Sequence, residues 1–204
     1  MADNQNPRHP ANKKKADARR EARRAAREAV MSLLFETEYH EGETPDEIYR
    51  RAADARELEN EERAAYIRAT YMGVMQNLPA IDALIGRHAT GWRTGRLSRV
   101  SRAILRLGAY ELAFDDKTPA AIAINEAVEL SKKFDAPRAR GFINGVLNAV
   151  KDELTECGGL PAGLAVEAPT PVVGPAGETP AVEPVKDDEP SVSTVSTVSN
   201  HENA

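Results

Sequence analysis

The sequence predicts an all-α fold, a single helical domain, and three observations lead to this prediction. Apolar residues between Val100 and Val150 recur at spacings of three and four, the period of an amphipathic helix. The segments 17–35 and 60–78 show the same spacing. Proline, glycine and capping residues separate these segments at helix-length intervals, so the pattern indicates a bundle of successive helices.

The first helix is predicted to begin at Asp17, a suitable N-cap. It follows a basic segment at 1–16 that has no periodicity and that we predict to be disordered. The apolar stripe of this helix comprises Ala22, Ala26, Ala29, Val30 and Leu33. Several of its arginines fall on the opposite side, and the full set is Arg19, Arg20, Arg23, Arg24 and Arg27. The helix therefore offers one face to a core and another to phosphates.

Shorter helices are predicted next. Thr44 and Glu47 have the spacing of a capping box, with Pro45 in the first turn of a charged helix. A more apolar helix covers 60–78, and Pro79 restarts the chain into another short helix.

Three further helices are predicted between Val100 and Gly158. The first carries one buried stripe, formed by Ile104, Leu107, Gly108 and Leu112. Thr118 and Pro119 begin the second, whose buried stripe is Ala123, Ala127, Leu130 and Phe134. Pro137 opens the third, and Gly158 stops it. We therefore place the domain at 17–157 and predict a disordered, acidic, Pro-rich tail at 158–204.

Charge is distributed unevenly along the 204 residues. Residues 1–27 carry nine Lys or Arg against three acids, a net charge of +6, whereas 156–204 carry one Lys against eight acids, a net charge of −7. A basic N-terminal region suits a polyanionic partner, because each cation that meets a phosphate releases counterions.

The composition offers little for catalysis or for a membrane. Cys157 is the single cysteine, which excludes an internal disulfide and suits a cytoplasmic protein. No stretch approaches the roughly 18 apolar residues of a membrane helix, and the charged N-terminus is unlike a signal peptide. The histidines lack Cys or carboxylate neighbours at metal-ligand spacing, so we expect no cofactor, no metal and no enzymatic activity.

Three segments of the second half resemble a known family. They are AILRLGAYEL (103–112), PAAIAINEAVELSKKF (119–134) and FINGVLNAV (142–150). In this order they resemble the C-terminal half of bacterial transcription antitermination factors of the NusB family, and 18–35 resembles the family's basic N-terminal helix. The resemblance implies about seven helices in two sub-bundles. It also implies a non-enzymatic protein that binds boxA-type single-stranded RNA together with the ribosomal protein NusE, in an RNA polymerase antitermination complex on ribosomal RNA operons.

The resemblance implies which residues bind RNA. The five arginines of the first helix would contact phosphates, and Arg106 and Arg140 would add further contacts. Phe142 would stack on a base, and Asn144 would assist in reading it. The pattern alone instead places Phe142 in the core and treats Arg106 and Arg140 as surface charges, so both interpretations stay open.

The resemblance also implies a surface for NusE. The family positions that face this partner correspond to Phe35 and Ser101. Tyr110 and Glu111 keep the family pattern, although Tyr110 also suits the core. Some family members pair through partner-binding surfaces, so a homodimer is a further possibility.

Two other functions fit parts of the sequence. A helical domain of this kind also precedes certain ribosomal RNA cytosine methyltransferases, but that function requires a nucleotide-cofactor domain downstream, where the sequence has a Pro-rich segment. A DNA-binding regulator would instead place the arginine-bearing helix at 96–112 in the major groove of a duplex. Preference for duplex DNA over single-stranded RNA would favour the regulator.

Overall fold

Seven α-helices form the part of the chain that the computed structural model describes, residues 10–40, 42–56, 61–89 and 97–164. They are α1 (Pro10–Thr37), α2 (Pro45–Arg56), α3 (Glu61–Gln76), α4 (Leu78–His88), α5 (Arg99–Phe114), α6 (Ala120–Phe134) and α7 (Ala139–Cys157). No strand occurs within those ranges. The all-α class and the expected number of helices are therefore confirmed.

The helices pack in two groups that are joined through α1 and α5. α1, α2 and α3 pack on one another, whereas α5, α6 and α7 form a second group, with α4 against α5 and α7. The buried apolar side chains of both groups form one continuous cluster. A methyl group added at Gly108 of α5 would come 2.8 Å from Leu147 Cδ1 of α7, so this glycine permits the close approach of the two helices. The two sub-bundles implied by the resemblance are thus present.

The central helix α5 is buried around most of its circumference. Ile104, Leu105, Leu107 and Ala109 are all buried, and α5 packs against α1, α3, α4, α6 and α7. Only a partly exposed stripe that contains Arg99 and Arg102 remains on α5, so little of this helix could enter a DNA major groove. The burial of α5 therefore disfavours the predicted placement of this helix in a duplex.

Local signals correctly predicted several helix ends. The Thr44 N–H donates to Glu47 Oε2 at 2.7 Å, and the Glu47 N–H donates to Thr44 Oγ1 at 3.4 Å, which is the predicted capping box. α7 ends at Cys157, and Gly158 follows with φ of +67°, a left-handed conformation in which glycine is strongly favoured.

Other predicted boundaries were wrong. α1 begins at Pro10, so residues 10–16 are helical and Asp17 is not the N-cap. The Thr118 hydroxyl does not cap α6 but donates to Asp115 Oδ2 at 2.7 Å, and α6 begins at Ala120. α7 begins at Ala139, two residues after the predicted start.

The structure also differs from the prediction at the end of α6 and at the start of the predicted tail. Phe134, the last residue of α6, is 40% exposed, with the Lys133 ammonium 5.1 Å from its ring centroid. Beyond α7, Pro161 is buried and Leu160 and Leu164 pack on the core, so residues 158–164 do not belong to a disordered tail. The rest of the predicted tail, 165–204, and residues 1–9 lie outside the described residues. None of the described helices is both long and apolar enough to cross a bilayer.

Candidate nucleic-acid interface

The N-terminal half of α1 is a basic helix that extends past the core. Every side chain from Lys13 to Arg23 is exposed, and Ala26 is the first buried side chain of α1 among those described. About 20 Å of helix therefore precedes the core. Six of the exposed side chains are basic: Lys13, Lys14, Lys15, Arg19, Arg20 and Arg23. We call these six residues the α1 cation set.

The positive charge of the α1 cation set is not neutralised by neighbouring carboxylates. None of the six forms a salt bridge with a described residue, whereas most other basic side chains of α1, α5 and α6 do. The field of this helix reaches α6: a hydrogen bond from Lys132, with further help from Arg24 and Arg20, lowers the pKa of Glu129. An anion approaching this half of α1 would therefore meet uncompensated positive charge.

Two members of the set lie on an unexpected face of α1. Arg19, Arg23, Ala26 and Val30 are spaced four, three and four apart, so they form one stripe along the helix. Ala26 and Val30 are buried, and the arginines extend the same stripe beyond the core. The prediction that several of the α1 arginines lie opposite the apolar stripe therefore does not hold for Arg19 and Arg23, and Ala22, predicted to be buried, is exposed.

Arg24 and Arg27 differ from the other predicted phosphate contacts. Arg27 is 5% exposed, and its Nε donates to Glu111 Oε1 of α5 at 2.8 Å. Arg24 is partly exposed, and its Nε donates to Glu126 Oε2 of α6 at 3.1 Å. Both residues hold α1 against the second sub-bundle. Arg27 is buried, so a phosphate could reach its guanidinium only by displacing Glu111, and its role is structural. Arg24 remains partly exposed, and its phosphate contact stays a prediction.

Glu111 was predicted to face a protein partner but lies in the core. It is 2% exposed, and besides Arg27 it accepts a hydrogen bond from the Tyr66 hydroxyl of α3 at 3.3 Å. Burial raises the pKa of Glu111, and Arg27 opposes that rise. Burial, together with the Glu111 carboxylate, raises the pKa of Tyr66 to about 12. Arg27, Glu111 and Tyr66 therefore form a buried polar contact among α1, α5 and α3, and Glu111 is not available to a partner.

Arg106 is also held by carboxylates. Its Nε and Nη2 donate to the two carboxylate oxygens of Asp82 at 2.9 Å each, and its Nη1 donates to Glu38 Oε1 at 2.9 Å. Such bidentate pairing is among the stronger charged contacts in proteins. Arg106 therefore joins α5 to α4 and to Glu38 just after α1, and because each of its three nitrogens already donates to a carboxylate, a phosphate would have to compete with Asp82 and Glu38 for it.

Phe142 and Asn144 do not point to the same place. Two residues apart on α7, they lie on different faces of the helix. Phe142 is half-buried beside Ser101 and Asp135 in a groove of about 280 Å³, whereas Asn144 is exposed and accepts a hydrogen bond from Asn148 Nδ2 at 3.3 Å. The pair therefore cannot read one base together, and any stacking by Phe142 uses the exposed part of its ring.

Arg140 keeps an unused donor. The residue is partly exposed on α7, and its Nε is buried without an acceptor among the described residues. The role of Arg140 as a phosphate contact therefore stays a prediction.

Ser101 and Tyr110, predicted to face a protein partner, both pack within the fold, but only Ser101 is buried, and the partner contact of the partly exposed Tyr110 stays a prediction. Ser101 is buried, and its hydroxyl donates to the Asp135 carboxylate, which links α5 to the α6–α7 connection. Tyr110 packs so closely on Gly73 of α3 that a methyl group at Gly73 would overlap its ring. Its ring also stacks on Phe114, with 5.7 Å between centroids.

Phe35 is the predicted partner residue that still lies beside an exposed surface. It is half-buried, and its ring centroid lies 5.2 Å from that of Tyr39, which is 54% exposed. The Arg99 guanidinium lies 4.3 Å from the Tyr39 ring centroid. Exposed aromatic and arginine side chains are the types that contribute most to protein interfaces. Tyr39 and Arg99 were missed by sequence analysis because their proximity depends on the packing of α1 against α5.

Lys13, Lys14 and Lys15 were also missed as part of the basic helix. The signal that could have found them is Pro10, since proline is favoured at the first position of a helix. The described residues contain no group of three or more His, Cys, Asp or Glu side chains that could hold a metal ion.

Comparison with known proteins points to one family. The model of the NusB family matches residues 21–152. The transcription antitermination protein NusB of Bacillus licheniformis is 39% identical over 132 residues, which cover 65% of this chain and 98% of that protein. The corresponding protein of Bacillus subtilis is 33% identical over 134 residues, which cover 66% of this chain and 98% of that protein.

Solved structures agree with the family match. The structure of Thermotoga maritima NusB superposes with a TM-score of 0.60 and 34% identity, covering 64% of this chain and 91% of that chain. A crystal structure of the antitermination factors NusB and NusE in complex with double-stranded RNA superposes with a TM-score of 0.59 and 27% identity. The match covers 65% of this chain and 98% of that chain. Because sequence and fold agree over most of the helical domain, the chain belongs to the NusB family.

Proposed function

We propose that this protein is a non-enzymatic RNA-binding transcription antitermination factor. It binds boxA-type single-stranded RNA together with the ribosomal protein NusE, and through an RNA polymerase complex it supports processive transcription of ribosomal RNA operons. The observation that carries the proposal is the α1 cation set, six exposed basic side chains without carboxylate partners. Family membership supports the antitermination role, and the relative crystallised with NusE and double-stranded RNA supports RNA binding together with NusE.

Binding begins with electrostatics in this proposal. Arg19, Arg20 and Arg23 meet phosphates and release counterions, which makes affinity strongly dependent on salt. Arg140 adds a phosphate contact on α7, and Phe142 stacks on a base. The buried pair of Arg27 with Glu111 holds α1 in place while the exposed half of the helix meets RNA.

NusE docks beside Phe35 in this proposal. The exposed Tyr39 ring and the Arg99 guanidinium next to it supply contact area and charge for the partner. A homodimer formed through the same surface would compete with NusE. Because NusE and RNA bind the same molecule of this protein in the proposal, favourable contact between them raises the affinity of each for it.

A binding titration tests the proposal directly. Fluorescence anisotropy with a labelled boxA-type RNA is expected to show binding that weakens as salt rises and that tightens when NusE is added, because the partner adds RNA contacts. Duplex DNA of matching sequence serves as the competitor. Failure to bind the RNA in 50 mM salt, with or without NusE, contradicts the proposed function, as does preference for the duplex.

Replacing Phe142 by Leu is expected to lower RNA affinity more than stability. Leucine keeps apolar volume against the core but has no aromatic face, and a stacked base contributes roughly 1–3 kcal/mol. The measurement is the same titration, paired with thermal unfolding. Phe142→Tyr, which keeps the ring, is the matched control. If Phe142→Leu melts far below wild type and still binds RNA normally, the ring belongs to the core and does not stack on RNA.

A further inference from the structure

A groove runs between the exposed half of α1 and the start of α3, and the proposed function so far does not use it. Its volume is about 540 Å³, within the range of small-ligand sites. We call it the α1–α3 groove. It is lined by Arg19, Ala22 and Arg23 of α1 and by Glu62, Arg63 and Tyr66 of α3.

The α1–α3 groove differs in charge from the groove on the other side of α1. On the α6 side, Glu126, Glu28 and Glu129 bind Arg24, Lys133 and Lys132 respectively, so basic and acidic groups compensate each other. In the α1–α3 groove, by contrast, Arg19 and Arg23 form no salt bridge with a described residue, and Glu62 is the single carboxylate of the lining. A polyanion is therefore attracted more strongly to the α3 side of α1 than to its α6 side.

The floor of the groove is suited to a nucleobase. Ala22 presents a small side chain, and the half-buried Tyr66 lines the groove while its hydroxyl donates to the buried Glu111 carboxylate at 3.3 Å. That hydrogen bond fixes the ring. Aromatic side chains flanked by cations are the arrangement by which proteins hold single-stranded nucleic acid, because bases stack on the ring while phosphates meet the cations.

We propose that the α1–α3 groove is a subsite for single-stranded RNA. One base lies on Tyr66, and Arg19, Arg23 and Arg63 hold the flanking phosphates. The inference rests on the proposed RNA-binding function and adds two residues of α3 to it. Because a base in a duplex is paired and stacked within the helix, it is not free to enter, so the groove favours single strands.

Charge reversal on α3 tests the subsite. In anisotropy titrations with the full chain and boxA-type RNA, Arg63→Glu is expected to lower affinity about fivefold or more at 0.1 M salt and to reduce the slope of log affinity against log salt by about 0.7, one phosphate contact. The control is Arg68→Glu, on the same helix and also exposed, where Arg68 bonds to Asp46. It is expected to leave the slope unchanged.

Variants of Tyr66 test the base position. Tyr66→Leu removes the aromatic face and is expected to lose about tenfold in affinity, whereas Tyr66→Phe keeps the face, loses only the hydroxyl that fixes it, and is expected to lose less. If wild type binds RNA but Arg63→Glu behaves like Arg68→Glu, the subsite is wrong and the proposed function stands. Equal losses for single-stranded and duplex RNA would overturn the placement of a base on Tyr66. Absence of RNA binding by wild type would instead remove the proposed function itself.

Discussion

Replacing Arg19, Arg20 and Arg23 together by glutamine is expected to weaken binding of boxA-type RNA about 100-fold at 0.1 M salt. Each phosphate contact with a single strand contributes about 0.7 to the slope of log affinity against log salt, so losing three contacts lowers the slope by about two. Over the tenfold change from 1 M to 0.1 M salt, a slope difference of about two amounts to a difference of about two powers of ten in affinity. All three side chains are exposed, so stability is expected to change little.

The matched control removes the same charge elsewhere. Arg50, Arg68 and Lys117 are also exposed, and they lie on α2, on α3 and in the turn before α6. Replacing these three by glutamine changes the net charge equally and is expected to leave the slope close to that of wild type. Equal losses in the two triple variants would show that net charge, rather than contact along α1, attracts the RNA.

Sequence periodicity was sufficient for the fold because it reports local geometry. Ile104, Leu107 and Ile143 recur at helical spacing and are buried as that spacing predicts. Phe134 fits the same pattern but is exposed, because it lies at the very end of α6, where less of the neighbouring sub-bundle covers it. The pattern identifies a face of a helix, whereas coverage at the ends of that face depends on other helices.

The roles of the α1 arginines could not be predicted from the sequence around them. Arg23 and Arg27 are four residues apart and carry the same charge, yet the first is exposed and the second is buried. The difference arises from Glu111, which is 84 residues further along the chain and meets Arg27 only after α5 packs on α1. A carboxylate so distant in sequence leaves no local signal in α1.

Replacing Arg27 by methionine is expected to destabilise the fold by about 3–5 kcal/mol at neutral pH. The change leaves the Glu111 carboxylate buried without its cation, and the cost of such an isolated buried charge exceeds what the pair contributed. Chemical denaturation monitored by circular dichroism measures the loss. The double variant Arg27→Met/Glu111→Leu removes both charges, and because apolar replacements of buried pairs are often neutral, it is expected to recover most of the lost stability.

The pH dependence of Arg27→Met identifies the unpaired carboxylate as the cause. Burial already raises the pKa of Glu111 above its ordinary value of 4.5, and loss of Arg27, which opposes that rise, shifts the pKa further upward. The folded variant therefore retains a proton on Glu111 that the unfolded chain releases near pH 4.5. The contribution of this proton to the free energy of unfolding is fully present below pH 4.5 and is lost as the pH rises through the pKa of Glu111 in the folded variant. The free energy of unfolding of Arg27→Met is therefore expected to fall below that of wild type by less at pH 5 than at pH 8. If the difference is the same at both pH values, lost packing rather than the Glu111 charge destabilises the variant.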